Sequence, residues 1–393
     1  MKISQINLKI IQDSRGGDTL EAEMTSDGLT AISSVPAGKS KGKHEVVSVQ
    51  PSVCLQKLEE IKNQLLNIDF SGLWEFDKFL IKLDGTSDKS NLGGNLILVL
   101  SIGFTKLLAK VNNLQTYQLI EEILGKKSEK FPYLYFNLIG GGLHAIDSLP
   151  FQEQILVTKF DLPSQGLEYA KSTVEKLRED ISKNFGSLRM GDEGTFSIKS
   201  SDPALGLEVL ARNIKNKDVS LALDVAASSF YENGNYKIGE NVLSSDQMID
   251  LYRNLSSKFN LLSIEDPFSE DDKLGFVKLN QIFEKRIWII GDDLTVTNKT
   301  LIQKACSENQ ITGVIIKPNQ IGSVSEALDA IIFAQSQNLK VIVSHRSGET
   351  NDDFIADLAF GSNADGLKSG SPTQPQRLAK YNRLIEIEKE VNK

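Results

Sequence analysis

The chain has almost no cysteine: Cys54 and Cys306 are the only two in 393 residues. Two thiols so far apart exclude a disulfide-stapled framework and a cysteine-rich zinc site. An excess of positive charge is also missing. Forty-four Lys and Arg stand against 52 Asp and Glu, for a formal net charge of -8, and no basic arm or block appears. That argues against nucleic acid or a membrane surface as partner. An anionic substrate stays open, because local basic groups or a bound metal can outweigh the overall field. Low-complexity segments, charge blocks and short-period repeats are absent. Long apolar runs are scarce, and the most apolar stretch, residues 92–111, carries Asn95, Thr105 and Lys106. It reads as a buried helix, so no membrane span is expected. The opening MKISQINLKI lacks the apolar core of a signal peptide and reads as a strand. Together these absences lead us to expect a soluble, cytoplasmic protein.

What is present is organised around SIEDPF, residues 263–268. The apolar run Leu261, Leu262, Ile264 ends at Glu265, and Pro267 stops any strand from continuing. A strand has delivered a carboxylate to its C-terminal tip. The pattern recurs. Leu221 to Leu223 run into Asp224, Trp288 to Ile290 run through Gly291 into Asp292, and Val314 to Ile316 end at Lys317. Val341 to Val343 lead through Ser344 to His345, and a weaker run ends at Lys368. Successive members lie between 23 residues (His345 to Lys368) and 41 residues (Asp224 to Glu265) apart. That is room for a strand, a helix and two loops, the spacing of a β/α barrel whose site collects at the C-terminal strand ends. Any one of these acids alone reads as a helix cap or a solvated loop residue. Six ionisable tips in series do not follow from strand propensity.

The length suggests two domains. Residues 1–125 read as an α+β domain. It has alternating strands around Ile6 to Ile10 and Leu20 to Met24, a hairpin turn at Asp27-Gly28, and a third strand from Leu29. Helical spacing follows at Cys54, Leu58, Ile61 and Leu65. Residues 126–393 read as the barrel domain, opening with YLYFNLI and EQILVTKF as two strands.

Three carboxylates brought to one place, Asp224, Glu265 and Asp292, need a cation, since unpaired like charges repel. An all-oxygen set favours a hard ion, and Mg²⁺ is the common choice beside substrate phosphates or carboxylates. Lys317 is the base candidate, with the metal and Lys368 expected to favour its neutral form. His345, Arg346 and Ser347 form an anion clamp. Base, hard metal and clamp together suggest removal of a proton beside a carboxylate, with the metal stabilising the enediolate.

SIEDPFSEDD, GDDLTVTN, IKPNQIGSVSEA, VSHRSGETNDDFIADL and LKSGSP…RLAKYN resemble the core motifs of the enolase family. DSRG, the GGxH loop with its following QE, GDEG and LDVAAS match as well, in order from about Ile6 to Asn382. The resemblance implies an α/β fold, a ββαα(βα)₆ barrel preceded by an α+β domain of a three-stranded antiparallel sheet and helices. It implies the reversible dehydration of 2-phosphoglycerate, a small phosphorylated three-carbon acid, to phosphoenolpyruvate in glycolysis and gluconeogenesis. It also implies two Mg²⁺ per site, the second arriving with substrate, and a homodimer or larger homo-oligomer. Carried over by position, Asp224, Glu265 and Asp292 hold the first ion and Ser40 helps to hold the second. Lys317 takes the C2 proton. Glu193 assists departure of the 3-hydroxyl with support from Glu153. Arg346 and Ser347 bind phosphate, Lys368 faces the substrate carboxylate, His345 and His144 line the pocket, and Gln152 stands behind them.

The chain departs from the family pattern in places. AGKSKG at residues 37–42 replaces SGASTG, Leu143 replaces a small polar residue, and Pro318 follows the base. AGKS also suggests a phosphate loop, but Ser33 stands where that motif needs its first glycine, and Pro36 lies inside the loop. The rival reading is an enolase-like protein of low activity kept as a binding or scaffold protein; every catalytic and metal-ligand position is present against it.

Overall fold

The computed structural model of the chain describes residues 1–38, 42–145, 149–186 and 188–392. Ser40 lies outside the described residues, as do Lys39 and Lys41. The first sheet is antiparallel, with β1 (Gln5–Gln12), β2 (Asp18–Ser26) and β3 (Leu29–Ser34) in that spatial order. Along β2, Leu20, Ala22, Met24 and Ser26 are buried while Glu21, Glu23 and Thr25 are partly exposed, so alternation in sequence becomes one covered face. Asp27 and Gly28 turn the β2–β3 hairpin with φ of 48° and 78°, the left-handed pair that a two-residue loop uses. Helices α1 (Pro51–Leu66), α2 (Leu73–Asp84), α3 (Gly94–Val111) and α4 (Thr116–Leu124) follow. The predicted stripe Cys54, Leu58, Ile61, Leu65 is the buried face of α1. Among the described residues α3 alone has the length and composition to cross a bilayer, and 78% of it lies inside the protein. One side of α3 packs on β2 and β3, while its Ser101 hydroxyl accepts the backbone N–H of Val324 at 2.9 Å.

The rest of the chain builds the barrel. In order come β4 (Tyr133–Gly140), β5 (Glu153–Thr158), α5 (Pro163–Phe185), the short pair β6 (Arg189–Met190) and β7 (Phe196–Ser197), α6 (Leu205–Arg212) and β8 (Val219–Asp224). A small meander β9 (Tyr231–Glu232), β10 (Asn235–Ile238) and β11 (Asn241–Leu243) precedes α7 (Ser245–Lys258), β12 (Leu261–Glu265), α8 (Lys273–Phe283) and β13 (Trp288–Gly291). Then follow α9 (Lys299–Ser307), β14 (Gly313–Ile316), α10 (Pro318–Ile321), α11 (Val324–Ser336), β15 (Lys340–Ser344), α12 (Phe354–Gly361), β16 (Gly366–Lys368) and α13 (Pro375–Val391). Polar residues start several of the helices: Ser244, Asn298 and Ser323 each accept a backbone N–H from the first turn.

Strands β4, β5, β8, β12, β13, β14, β15 and β16 are neighbours in that order, and β16 pairs with β4 to close the ring. β5 runs antiparallel to β4 and β8, and the other pairings are parallel. The order is therefore ββαα(βα)₆, as the resemblance implied. The two short β hairpin and meander additions were not legible in the sequence, because strands of two to four residues carry too little periodicity.

An apolar plug fills the barrel interior, with Tyr135, Ile155, Val157, Ala222, Ile290, Ile315 and Ile342 in one cluster. Each strand repeats every two residues, so the residue two beyond a plug residue points the same way. Two beyond Ala222 is Asp224, two beyond Ile290 is Asp292, and two beyond Ile315 is Lys317. On the antiparallel β5 the count runs backward, from Ile155 to Glu153. A charged layer thus sits directly on an apolar one.

Candidate active site

His144, Gln152, Glu153, Glu193, Asp224, Asp292, Lys317, His345, Arg346, Ser347 and Lys368 line one cavity of about 30 Å³ at the C-terminal end of the parallel strands. Glu265 lies behind it, in register with Asp224 on the adjacent strand, while Glu153 is in register with Asp224 on the other side. Three carboxylates therefore stand side by side, all nearly inaccessible. Lys368 answers them. Its Nζ donates to Asp224 Oδ2 at 3.0 Å and to Glu265 Oε2 at 2.8 Å. It also lies 2.8 Å from Glu153 Oε2, a charge contact whose angles do not make it a hydrogen bond.

Asp292 is held separately. Lys317 Nζ pairs with its Oδ2, and Gln320, reaching up from α10, donates to Oδ1 at 2.9 Å. Pro318 starts α10, where its missing N–H costs nothing, so this departure from the family pattern is locally neutral. Burial acts to raise the Asp292 carboxyl, but the charge and hydrogen bond of Lys317 win and hold it below the usual range. Burial likewise acts to lower Lys317, yet Asp292 outweighs it, and Lys317 is held charged. Of the groups expected to favour a neutral amine, Lys368 does push in that direction, but more weakly than the adjacent Asp292 carboxylate pushes the other way. Glu265 is pushed well above the usual range by burial and by Asp224.

The predicted metal ligands Asp224, Glu265 and Asp292 stand at neighbouring strand tips, each answered by a lysine. Among the described residues, the sets whose ligand atoms come within 4.8 Å of one another are His144, Glu153, Glu193 and Asp266, Asp292, Asp293. The two ammonium groups supply the counter-charge between Asp224, Glu265 and Asp292. The donor chemistry still fits a hard cation: buried carboxylate oxygens, with excess negative charge and no sulfur. Asp266 was missed as a supporting residue. It adopts φ 41° and accepts the backbone N–H of Asp292 and of Asp293 at 2.9 and 2.7 Å, which fixes the β13 tip.

On the opposite wall Glu193 accepts from Asn137 Nδ2 at 3.0 Å, and its other oxygen lies 3.7 Å from His144 Nδ1. His144 Nδ1 is 3.5 Å from Glu153. Burial pushes Glu153 up to about 8 despite Lys368. Burial also favours a protonated Glu193, and charged histidines would oppose it. Against burial, His345 and His144 first, then Arg377 and the Asn137 N–H, pull Glu193 below the usual range, while burial drives the two histidines themselves toward the neutral form. Two neighbouring carboxyls are thus pushed apart, the arrangement that separates proton holder from anion.

The anion clamp is shared between the two halves of the chain. Arg346 Nη1 and Nη2 donate to Glu45 at 2.9 and 3.2 Å, and Nη1 donates to Asn319 at 3.2 Å. Gly38 passes so close that a Cβ built on it would stand 1.8 Å from Arg346 Nη2. Ala37 and Gly348 exchange backbone hydrogen bonds at 2.8 and 2.9 Å, and Ser14 donates its N–H to the Glu349 carbonyl at 2.7 Å. Glu45, Asn319, Asn137 and Arg377 are functional neighbours that the strand-tip pattern cannot find, since none sits at the tip of a parallel strand.

Comparison with known proteins agrees with this geometry. The family described as "Enolase, N-terminal domain" matches residues 3–120, and "Enolase, C-terminal TIM barrel domain" matches residues 128–393. Curated relatives named Enolase include that of Pelagibacter ubique, 39% identical over all of this chain and 98% of the relative. That of Sulfurisphaera tokodaii is 37% identical over 98% of this chain and 95% of the relative. That of Ehrlichia ruminantium is 35% identical over all of this chain and 97% of the relative. The chain belongs to the enolase family.

Proposed function

We propose that this pocket carries out the enolase reaction, the reversible dehydration of 2-phosphoglycerate to phosphoenolpyruvate, with the following division of labour. Arg346 and Ser347 take the phosphate and Lys368 faces the carboxylate. Lys317 removes the C2 proton, the electron pair forms the C2–C3 double bond, and the C3–O bond breaks. Glu193 gives the departing hydroxyl its proton, so that water leaves. Glu153, which keeps a proton near neutrality, supports Glu193 by way of His144. Asp224, Glu265 and Asp292 would hold Mg²⁺, which stabilises the enediolate's negative charge when bound. The reading includes a second Mg²⁺ assisted by Ser40, a domain division at residues 125/126, a homodimer, and a place in cytoplasmic glycolysis.

Asp292 favours the charged form of Lys317 and the basic groups around Glu193 favour its carboxylate, both directions opposed to the states from which the forward reaction starts. A counter-charge for Asp292 other than the Lys317 ammonium is what frees the amine. The observation that carries the proposal is the charged layer itself: carboxylates, two lysines and a buried arginine clamp on one face of the barrel. The test is appearance of the enol product's ultraviolet absorbance from 2-phosphoglycerate. Turnover should vanish in excess EDTA and return with Mg²⁺. Full activity in EDTA, or none under any metal, would refute it. The low-activity rival has no observation in its favour.

A further inference from the structure

Arg377 sits in the first turn of α13, away from every strand tip, yet among the described residues it is the largest side chain buried without exposed surface. Burying a guanidinium is costly unless its donors are taken up. Nη1 donates to the Arg346 carbonyl at 2.5 Å, Nη2 to the Ser347 carbonyl at 2.7 Å, and Nε reaches Gln374 Oε1 at 3.4 Å. Nη1 also lies 2.5 Å from His345 Nδ1. An arginine has only donors and stays charged in proteins, so at that contact His345 Nδ1 must offer a lone pair. The single proton of a neutral imidazole then sits on Nε2, and Nε2 is 3.5 Å from Glu193 Oε2. Burial drives His345 well below the usual range, which keeps the ring neutral. The backbone at Gly370 closes the other side: a Cβ there would come 3.0 Å from His345 Cε1 and 3.1 Å from Arg377 Cδ.

We propose that Arg377 is a positioning residue that fixes His345 as the Nε2–H tautomer, so that its imidazole donates toward Glu193 and cannot accept a proton from it. The functional consequence rests on the reading of Glu193 as the acid for the departing hydroxyl. A donor at Nε2 stabilises Glu193 once its proton has left, which is what that role requires. The same guanidinium ties down the Arg346 and Ser347 carbonyls, so one side chain sets both the imidazole's polarity and the backbone of the phosphate clamp.

The chain has only three histidines, which makes a direct test practical. Nitrogen-15 histidine labelling with long-range proton–nitrogen correlation reads the tautomer in the intact protein, with His345→Gln assigning the signals. Between about pH 6 and 8, His345 should show a bare Nδ1 and a protonated Nε2. An Nδ1–H tautomer, or an imidazolium, at neutral pH overturns the proposal whether or not the protein turns over 2-phosphoglycerate. Conversely, the expected tautomer in a protein without turnover leaves the tautomer standing and sinks the Glu193 role. Arg377→Met, which offers Nδ1 no donor, should give mixed tautomers with kcat reduced by about a hundredfold, while the released Arg346 and Ser347 carbonyls raise KM as well. Parallel losses in kcat and KM with the Nε2–H form retained mean that Arg377 acts on the loop alone, and the proposal fails. Should Arg377→Met not fold, the wild-type spectrum still decides.

Discussion

Asp77 offers a test of how the N-terminal helices are fastened to the barrel. It lies in α2 with no exposed surface, and its Oδ2 accepts the backbone N–H of Ser325 in the first turn of α11 at 2.9 Å. Its Oδ1 has no hydrogen-bond partner. Burial pushes the carboxyl up to about 6 from an ordinary 3.8, against the pull of Ser101 and Ser325 and with a further push from Glu326. A rise of about two units, at about 1.4 kcal/mol each, amounts to roughly 3 kcal/mol. The sign follows from proton binding. Below about pH 4 both folded and unfolded chains hold the proton, and there is no cost. Between about pH 4 and 6 the folded chain keeps a proton that the unfolded chain has released, so stability falls as pH rises. Above about pH 6 the full penalty of a buried carboxylate applies. Asp77→Asn removes the charge and keeps an amide oxygen for Ser325, but brings an N–H₂ group that costs about 1 kcal/mol if left unsatisfied. The variant should therefore be more stable than wild type by about 1–2 kcal/mol at pH 8 and less stable by about 1 kcal/mol near pH 4. Urea unfolding of both proteins across that range, with unchanged slopes, measures the difference. A difference that stays constant with pH refutes the reasoning, because it means that Asp77 does not titrate in that window.

Lys317→Ala should lose at least about a thousandfold in kcat. A variant that keeps a tenth or so of the wild-type rate shows that another group takes the C2 proton. Gly38→Ala places a methyl group where the Arg346 guanidinium now lies, so KM for the phosphorylated substrate should rise about tenfold or more. An unchanged KM means that the loop moves clear of the clamp before substrate binds.

What could be read in the sequence follows from the period of a strand. Where a parallel strand ends, the residue two beyond its last inward apolar position points into the site, and apolar runs that stop at Asp224, Glu265, Asp292 and Lys317 advertise themselves. β5 runs the other way, so its site residue is its first, Glu153, and a search for strand ends arrives at Thr158 instead. The family resemblance, not periodicity, named Glu153. Protonation was harder still. The strand tips say which charges meet but not which pairs form, and the choice of Lys317 for Asp292 and Lys368 for Asp224 and Glu265 decides both the spread of the carboxylates and the resting charge of the base. The residues that act through others are the least legible. Glu45 reaches Arg346 across 301 positions of chain, and Arg377 reaches it from the helix after the last strand. Neither has a local pattern that separates it from a solvated surface charge. Their burial makes the difference: a guanidinium with no exposed surface is tolerable only where its donors find acceptors, and in this barrel those are the carbonyls and the imidazole of the phosphate-binding loop and the Gln374 side-chain oxygen.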